Sequence, residues 1–90
     1  MLLPVELSDR KNKKYKILVN GSWVHFGDKR YEHYKTSLLI PTKYHVYAEH
    51  HDEIRRDRYL KRAEKIKDKQ GNLTYLDPQS PNYWSVRLLW

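Results

Sequence analysis

Asn20-Gly21 stands between two β-prone runs, Tyr15-Lys16-Ile17-Leu18-Val19 and Ser22-Trp23-Val24-His25-Phe26. A type I′ turn needs positive φ at both central residues, and Asn-Gly is the pair that supplies it most readily. A two-residue loop leaves one register open, with Val19 opposite Ser22, Ile17 opposite Val24 and Tyr15 opposite Phe26. Tyr15, Ile17, Val19, Val24 and Phe26 then share one face and predict a core. Lys14, Lys16, Leu18, Trp23 and His25 occupy the other. An isolated hairpin is marginal in water, so the rest of the chain must cover the apolar face.

With 90 residues the chain holds one small domain, and its core is thin. Residues 1–14 read as an N-terminal arm, with Leu2 and Leu3 apolar, Pro4 breaking the run and Arg10-Lys11-Asn12-Lys13-Lys14 following. Residues 15–90 form the domain. A third strand is expected near 43–48, starting after Pro41. Residues 52–69 read as one long helix, capped by Asp52, basic toward its end and stopped near Gly71. Its apolar positions Tyr59, Ala63 and Ile66 make only a narrow seam. Residues 72–76 read as extended. Ser80 and Pro81 can open a short aromatic helix toward Trp90. The predicted class is α+β: a hairpin or three-stranded antiparallel sheet packed on one long helix, closed by the C-terminal aromatic helix. Trp84 and Trp90 are assigned to the core, because so small a chain has few other large apolar groups to bury.

Eighteen Lys and Arg against eleven Asp and Glu leave a formal charge of +7 with histidine neutral. The basic residues cluster at 10–16, 29–35 and 55–69, with Tyr15, Tyr31, Tyr34 and Tyr59 among them. Cations neutralise phosphates and aromatic rings stack on bases, so Lys13, Lys14, Lys16, Arg30, Arg55, Arg58, Arg62 and Lys65 are the candidate nucleic-acid contacts. Within the helix, Asp52, Glu53, Asp57, Glu64 and Asp68 compete for the same cations. Eight Tyr, three Trp and one Phe also suit a protein interface. The candidate partner contacts are Leu2, Leu3, Trp23, Tyr31, Tyr34 and Tyr47.

Other chemistries find little here. The chain has no cysteine, which excludes disulfides and thiolate metal sites. The five histidines show no metal-binding spacing, and adjacent His50 and His51 point apart in regular structure. No metal or other cofactor is expected. His25, Asn20, His50 and Asp52 are the residues a small histidine nuclease would draw on, but their order matches no catalytic pattern. There is no Gly-x-Ser-x-Gly and no glycine-rich phosphate loop. No small-molecule substrate is therefore expected, and the chain reads as non-enzymatic. No apolar run approaches the roughly 20 residues that span a bilayer, so no membrane partner is expected. Glu6 and Asp9 follow the opening residues at once, unlike a secretory leader.

The ordered set Lys14-Tyr15-Lys16-Ile17-Leu18-Val19-Asn20-Gly21, Val24-His25-Phe26-Gly27, Tyr31, Tyr34, Arg55-Arg56-Asp57-Arg58-Tyr59-Leu60-Lys61-Arg62 and Asp77-Pro78…Tyr83-Trp84-Ser85…Leu88-Leu89-Trp90 resembles a small basic protein family of tailed phages and large dsDNA viruses. The resemblance covers roughly residues 14–34 and 52–90. Two departures stand out: residues 36–48 read as an insertion, and Ala63-Glu64 replaces an Arg-His pair at the helix end. The resemblance implies a non-enzymatic virion component (minor capsid, cement or connector) that packs against capsid or portal proteins and touches packaged DNA. It would reside in the virion, and in the host cytoplasm during assembly. The alternative it implies is a virus-encoded accessory protein that binds nucleic acid or inhibits a host defence complex. It transfers no functional residue.

Overall fold

The structure, a computed structural model, describes residues 1–90. Three strands form an antiparallel sheet in chain order: β1 (Val5–Leu7), β2 (Lys13–Val19) and β3 (Ser22–Asp28). Two helices follow, α1 (Glu53–Ala63) and α2 (Pro81–Leu88), with single 3₁₀ turns at Thr42–Tyr44 and Thr74–Leu76. The α+β class read from the sequence is the one observed.

The β2–β3 hairpin has the predicted register: Val19 faces Ser22, Ile17 faces Val24 and Tyr15 faces Phe26. Asn20 and Gly21 take φ of 50° and 81°, as a type I′ turn requires. Tyr15, Ile17, Val24 and Phe26 are buried, with Val5 from β1 beside them and Ile40, Leu88 and Leu89 packed over the face. Trp84 and Trp90, read from the sequence as core, are instead half-buried and pack against this cluster from its rim.

Four further expectations are corrected, the smallest being that Thr74–Leu76 makes a 3₁₀ turn where the sequence reads as extended, closed by the N–H groups of Leu76 and Asp77 on the Leu73 and Thr74 carbonyls. Residues 1–14 are not an outward arm, because Val5 pairs with Ile17 and Leu7 with Tyr15 along the β2 edge. The third strand is therefore β1, and the 43–48 segment has no ladder to join. It turns at Thr42–Tyr44 and covers the sheet instead, with the Tyr44 carbonyl accepting the Tyr15 hydroxyl at 2.7 Å. The long helix stops at Ala63, six residues short of the expected end. Its last carbonyl, on Ala63, accepts from the Asn82 amide at 2.9 Å, while Asp68 Oδ1 gathers the N–H groups of Gln70 and Asn72 into a turn. Thr74 returns to bond the Ile66 carbonyl through both its N–H and its hydroxyl. These local bonds replace the i→i+4 ladder.

The sheet consequently rests on α2 and the 36–48 segment rather than on a long helix. Ser80 caps α2 and Pro81 occupies its first turn. Gly27 brings α2 onto β3, its N–H reaching Ser85 Oγ at 3.3 Å. A Cβ at Gly27 would meet Leu89 Cδ1 and Lys14 Cβ, both at 3.0 Å. Helix α1 buries only Ala63 and leans on the chain end through Tyr59, whose ring stacks on Trp90 at 4.0 Å and 6°.

Candidate functional site

One cleft of about 490 Å³ opens between α1, the end of β3, the 31–33 segment and the end of α2. Arg55, Arg58, Tyr59 and Arg62 line one wall. Their i, i+3, i+4, i+7 spacing places them on a single face of a helix turning about 100° per residue. Asp52 holds that helix start, its Oδ1 accepting from the N–H groups of Ile54 and Arg55 at 2.9 and 3.2 Å. Lys14 and Gly27 form the floor, Tyr31, Glu32 and His33 the facing wall, and Leu89 and Trp90 the back.

The cations outnumber the acids. Asp28 is taken by Arg30, whose Nε and terminal nitrogen reach the two carboxylate oxygens at 3.0 and 2.8 Å. The Arg30 hydrogen bonds hold the Asp28 carboxyl at about 2. Glu32 lies 3.6 Å from Arg55. Arg58 and Arg62 have no carboxylate within ion-pair distance and are exposed to the cleft mouth. An arginine free of acid partners presents its planar donor fork to an incoming oxyanion.

Lys14 is different in kind, with only 2% of its surface exposed. Its Nζ donates to the Tyr31 carbonyl at 2.7 Å and sits 2.8 Å from His33 Nδ1. Burial pushes its pKa down to about 8, against the pull of Asp28 and Glu32. His33 is buried too, and burial followed by the Lys14 charge pushes it down to about 4. The ring is therefore neutral, with Nδ1 accepting from Lys14 and Nε2–H donating to Thr36 Oγ1 at 2.7 Å. Thr36 in turn gives its main-chain N–H to Glu49, which also pairs with His51 at 2.9 Å. Burial raises the Glu49 carboxyl, but the hydrogen bonds from His51 and Thr36 prevail and hold it at about 2. A polar chain thus runs from the cleft floor to the far surface. It fixes Lys14 in place as a cation beneath the arginines.

Of the eight cations singled out by sequence, Lys14, Arg55, Arg58 and Arg62 converge on the cleft. The others do not line it. Arg30 serves Asp28, and Lys13 stands opposite Asp28 in the ladder. Lys16 lies on the outer sheet face, 4.6 Å over the Trp23 ring. Lys65 is exposed just beyond α1.

The partner candidates also divide. Tyr31 is exposed at the cleft wall and Leu2 is exposed beside the sheet. Trp23 is more than half covered, at 39% exposure. Tyr34 lies under the Arg56 guanidinium, 5.4 Å from its ring centre. Leu3 and Tyr47 pack on the core, Tyr47 edge-on to Tyr15 at 5.3 Å.

The histidines are used locally. His25 Nδ1 lies 2.7 Å from Ser8 Oγ, and His50 Nδ1 accepts the Asp52 N–H at 2.9 Å beside the Trp90 ring. No three His, Asp or Glu side chains gather into a metal-binding group. No helix is long and apolar enough to cross a membrane. Sequence reasoning missed Gly27, His33 and Trp90 as parts of the cleft. Gly27 closing the Phe26 strand was the one visible hint; His33 and Trp90 arrive through tertiary contacts.

The fold and cleft define a small basic α+β protein with an arginine-lined cleft. Residues 3–36 match a family of unknown function (DUF5754), a stretch that takes in all three strands and Lys14 but neither helix. No curated protein and no solved structure matches the chain.

Proposed function

We propose that this chain is a non-enzymatic nucleic-acid-binding protein whose cleft takes the phosphates of a single strand. The observation that carries this reading is the convergence of Arg55, Arg58 and Arg62 above the buried Lys14. A row of cations along one helix face neutralises consecutive phosphates, and the exposed Tyr31 ring at the wall offers a stacking surface for a base. A walled cleft of this volume admits one chain of nucleotides more readily than a duplex. The setting suggested by the resemblance is a virus particle or a virus-infected cell.

Fluorescence anisotropy with labelled single- and double-stranded DNA between 50 and 200 mM salt tests it. Three single-strand phosphate contacts, at the exposed Arg55, Arg58 and Arg62, correspond to a slope near −2.1 in log K against log salt, about an 18-fold loss across that range. Replacing Arg58 and Arg62 together by Ala should remove roughly 1.4 from the slope. Absence of binding at 50 mM salt, or an unchanged slope in the double variant, would refute the reading.

A second reading has its own support. Leu2, Leu38 and Leu39 are exposed, and the Leu3 N–H bonds the Leu39 carbonyl at 2.8 Å, which draws these segments together. Apolar side chains gathered this way suit packing against other virion proteins, as a minor capsid or connector component would need. Co-sedimentation of the wild-type chain with particles, lost on Leu2→Glu, would support it. Equal retention of both would count against it.

A further inference from the structure

The Tyr59–Trp90 stack that backs the arginine cleft has a second groove on its other side. That groove encloses about 450 Å³, and Trp90 lines both. Its cations are Lys35, Arg56 and Arg87. Arg55 and Arg56 are consecutive on α1, so they project about 100° apart. One enters the first cleft and the other enters the second groove, straddling the stack.

The second groove is built rather than incidental. Arg87 donates to the carbonyls of Tyr75 and Tyr83 at 2.9 and 3.2 Å, and its guanidinium lies 3.6 Å from the Tyr83 ring centre. Arg56 gives its Nε hydrogen to the main-chain oxygen of Trp90 at 2.7 Å. Neither arginine, nor Lys35, has a side-chain carboxylate within ion-pair distance. Arg87 is therefore held by two carbonyls and a ring, and Arg56 by the main-chain oxygen of Trp90, with donors left over. A guanidinium fixed in this way loses little freedom when it meets a phosphate.

The Trp90 ring is stacked on Tyr59 at 4.0 Å, and His50 lies beside it at 5.0 Å, tilted by 50°. Trp90 is thus held in place as a divider between the grooves. We propose that a bound single strand leaves the arginine cleft across the edge of Trp90 and continues into the second groove, where Lys35 and Arg87 take further phosphates. This rests on the reading of the first cleft as a nucleic-acid site and extends it from a pocket to a track.

Length dependence separates the two claims. Labelled oligo-dT of about 3 and about 12 nucleotides, at about 50 mM salt, tests a short strand that fills only the first cleft against one that spans both. Wild-type affinity should rise with length. The Lys35→Ala/Arg87→Ala variant should bind the short strand as wild type does and the long one at least fivefold more weakly. Its salt slope on the long strand should drop by about 1.4, the share of two contacts. Lys35→Glu alone, at an exposed side chain with no hydrogen bond, gives the same pattern without disturbing the Arg87 anchors.

The track is overturned if both variants bind the long strand like wild type, or if they weaken short and long strands equally. If Arg58→Ala/Arg62→Ala still removes binding in that case, the first cleft stands and only its extension falls. Failure of the wild type to bind any length overturns both.

Discussion

Gly27 does two jobs that a side chain would spoil. Its φ of +79° favours glycine, and Leu89 and Lys14 close on the space a Cβ would need. Gly21 has nearly the same φ, +81°, with nothing within 4 Å. The pair separates backbone strain from packing. Gly21→Ala should cost about 1 kcal/mol, the strain alone. Gly27→Ala should cost about 2–3 kcal/mol, because Leu89 and the Lys14 stem must also move. At about 4–8 °C per kcal/mol for a domain of this size, thermal melting will distinguish them.

His33 and Lys14 make a second prediction at this scale. Between pH 6.5 and about 4 the unfolded chain binds a proton that folded His33 refuses, so stability falls as pH drops through that window. Lys14 has the same sign at higher pH. From about 8 the folded lysine has lost a proton that the unfolded chain keeps up to 10.5, so its contribution rises with pH. Buried Tyr15, pushed up to about 12 by burial, opposes this above pH 10. Each group can tilt the curve by at most about 1.4 kcal/mol per pH unit. Urea unfolding from pH 4 to 7 should show the acid slope reduced by up to one proton in His33→Gln. An unchanged slope would assign it to His25 and His50, which burial also lowers.

At the scale of elements, α1 carries the arginines on little support. It buries one residue, Ala63, and is held by the Asp52 cap, the Tyr59–Trp90 stack and the Asn82 bond at its end. Asp52→Ala should therefore cost about 1 kcal/mol. Amide exchange should quicken across 53–63 while β2 and β3 keep their protection. Uniform loss of protection would mean that α1 and the sheet unfold as one unit. The cap and the arginine face were legible in the sequence, since both depend on residues within one or two turns. The helix end was not legible. Lys65, Lys67 and Lys69 favour a helix, and the bonds from Asp68, Thr74 and Asn82 that end it belong to a fold-back.

For the whole molecule, the +7 charge has a shape as well as a size. The cations that face a cleft or groove sit on either side of Trp90, while Arg30, Lys16 and Lys61 stand beside Asp28, Asp9 and Asp57. Leu2, at 57% exposure, should accept Glu within about 0.5 kcal/mol of wild-type stability, as urea unfolding will show. It lines neither groove, which makes it a clean probe of the apolar patch. The sequence by itself determined the hairpin, its register, its buried face, both helix starts and the row Arg55, Arg58, Arg62. All of these follow from turn chemistry, side-chain alternation or helical spacing, which act over a few residues. Only the tertiary structure decided that Val5–Leu7 is the third strand, that Lys14 is buried beneath the arginines, and that Trp90 divides two basic grooves. Those depend on which distant segments cover an open strand edge and an apolar face, and that choice is settled by packing across the whole chain.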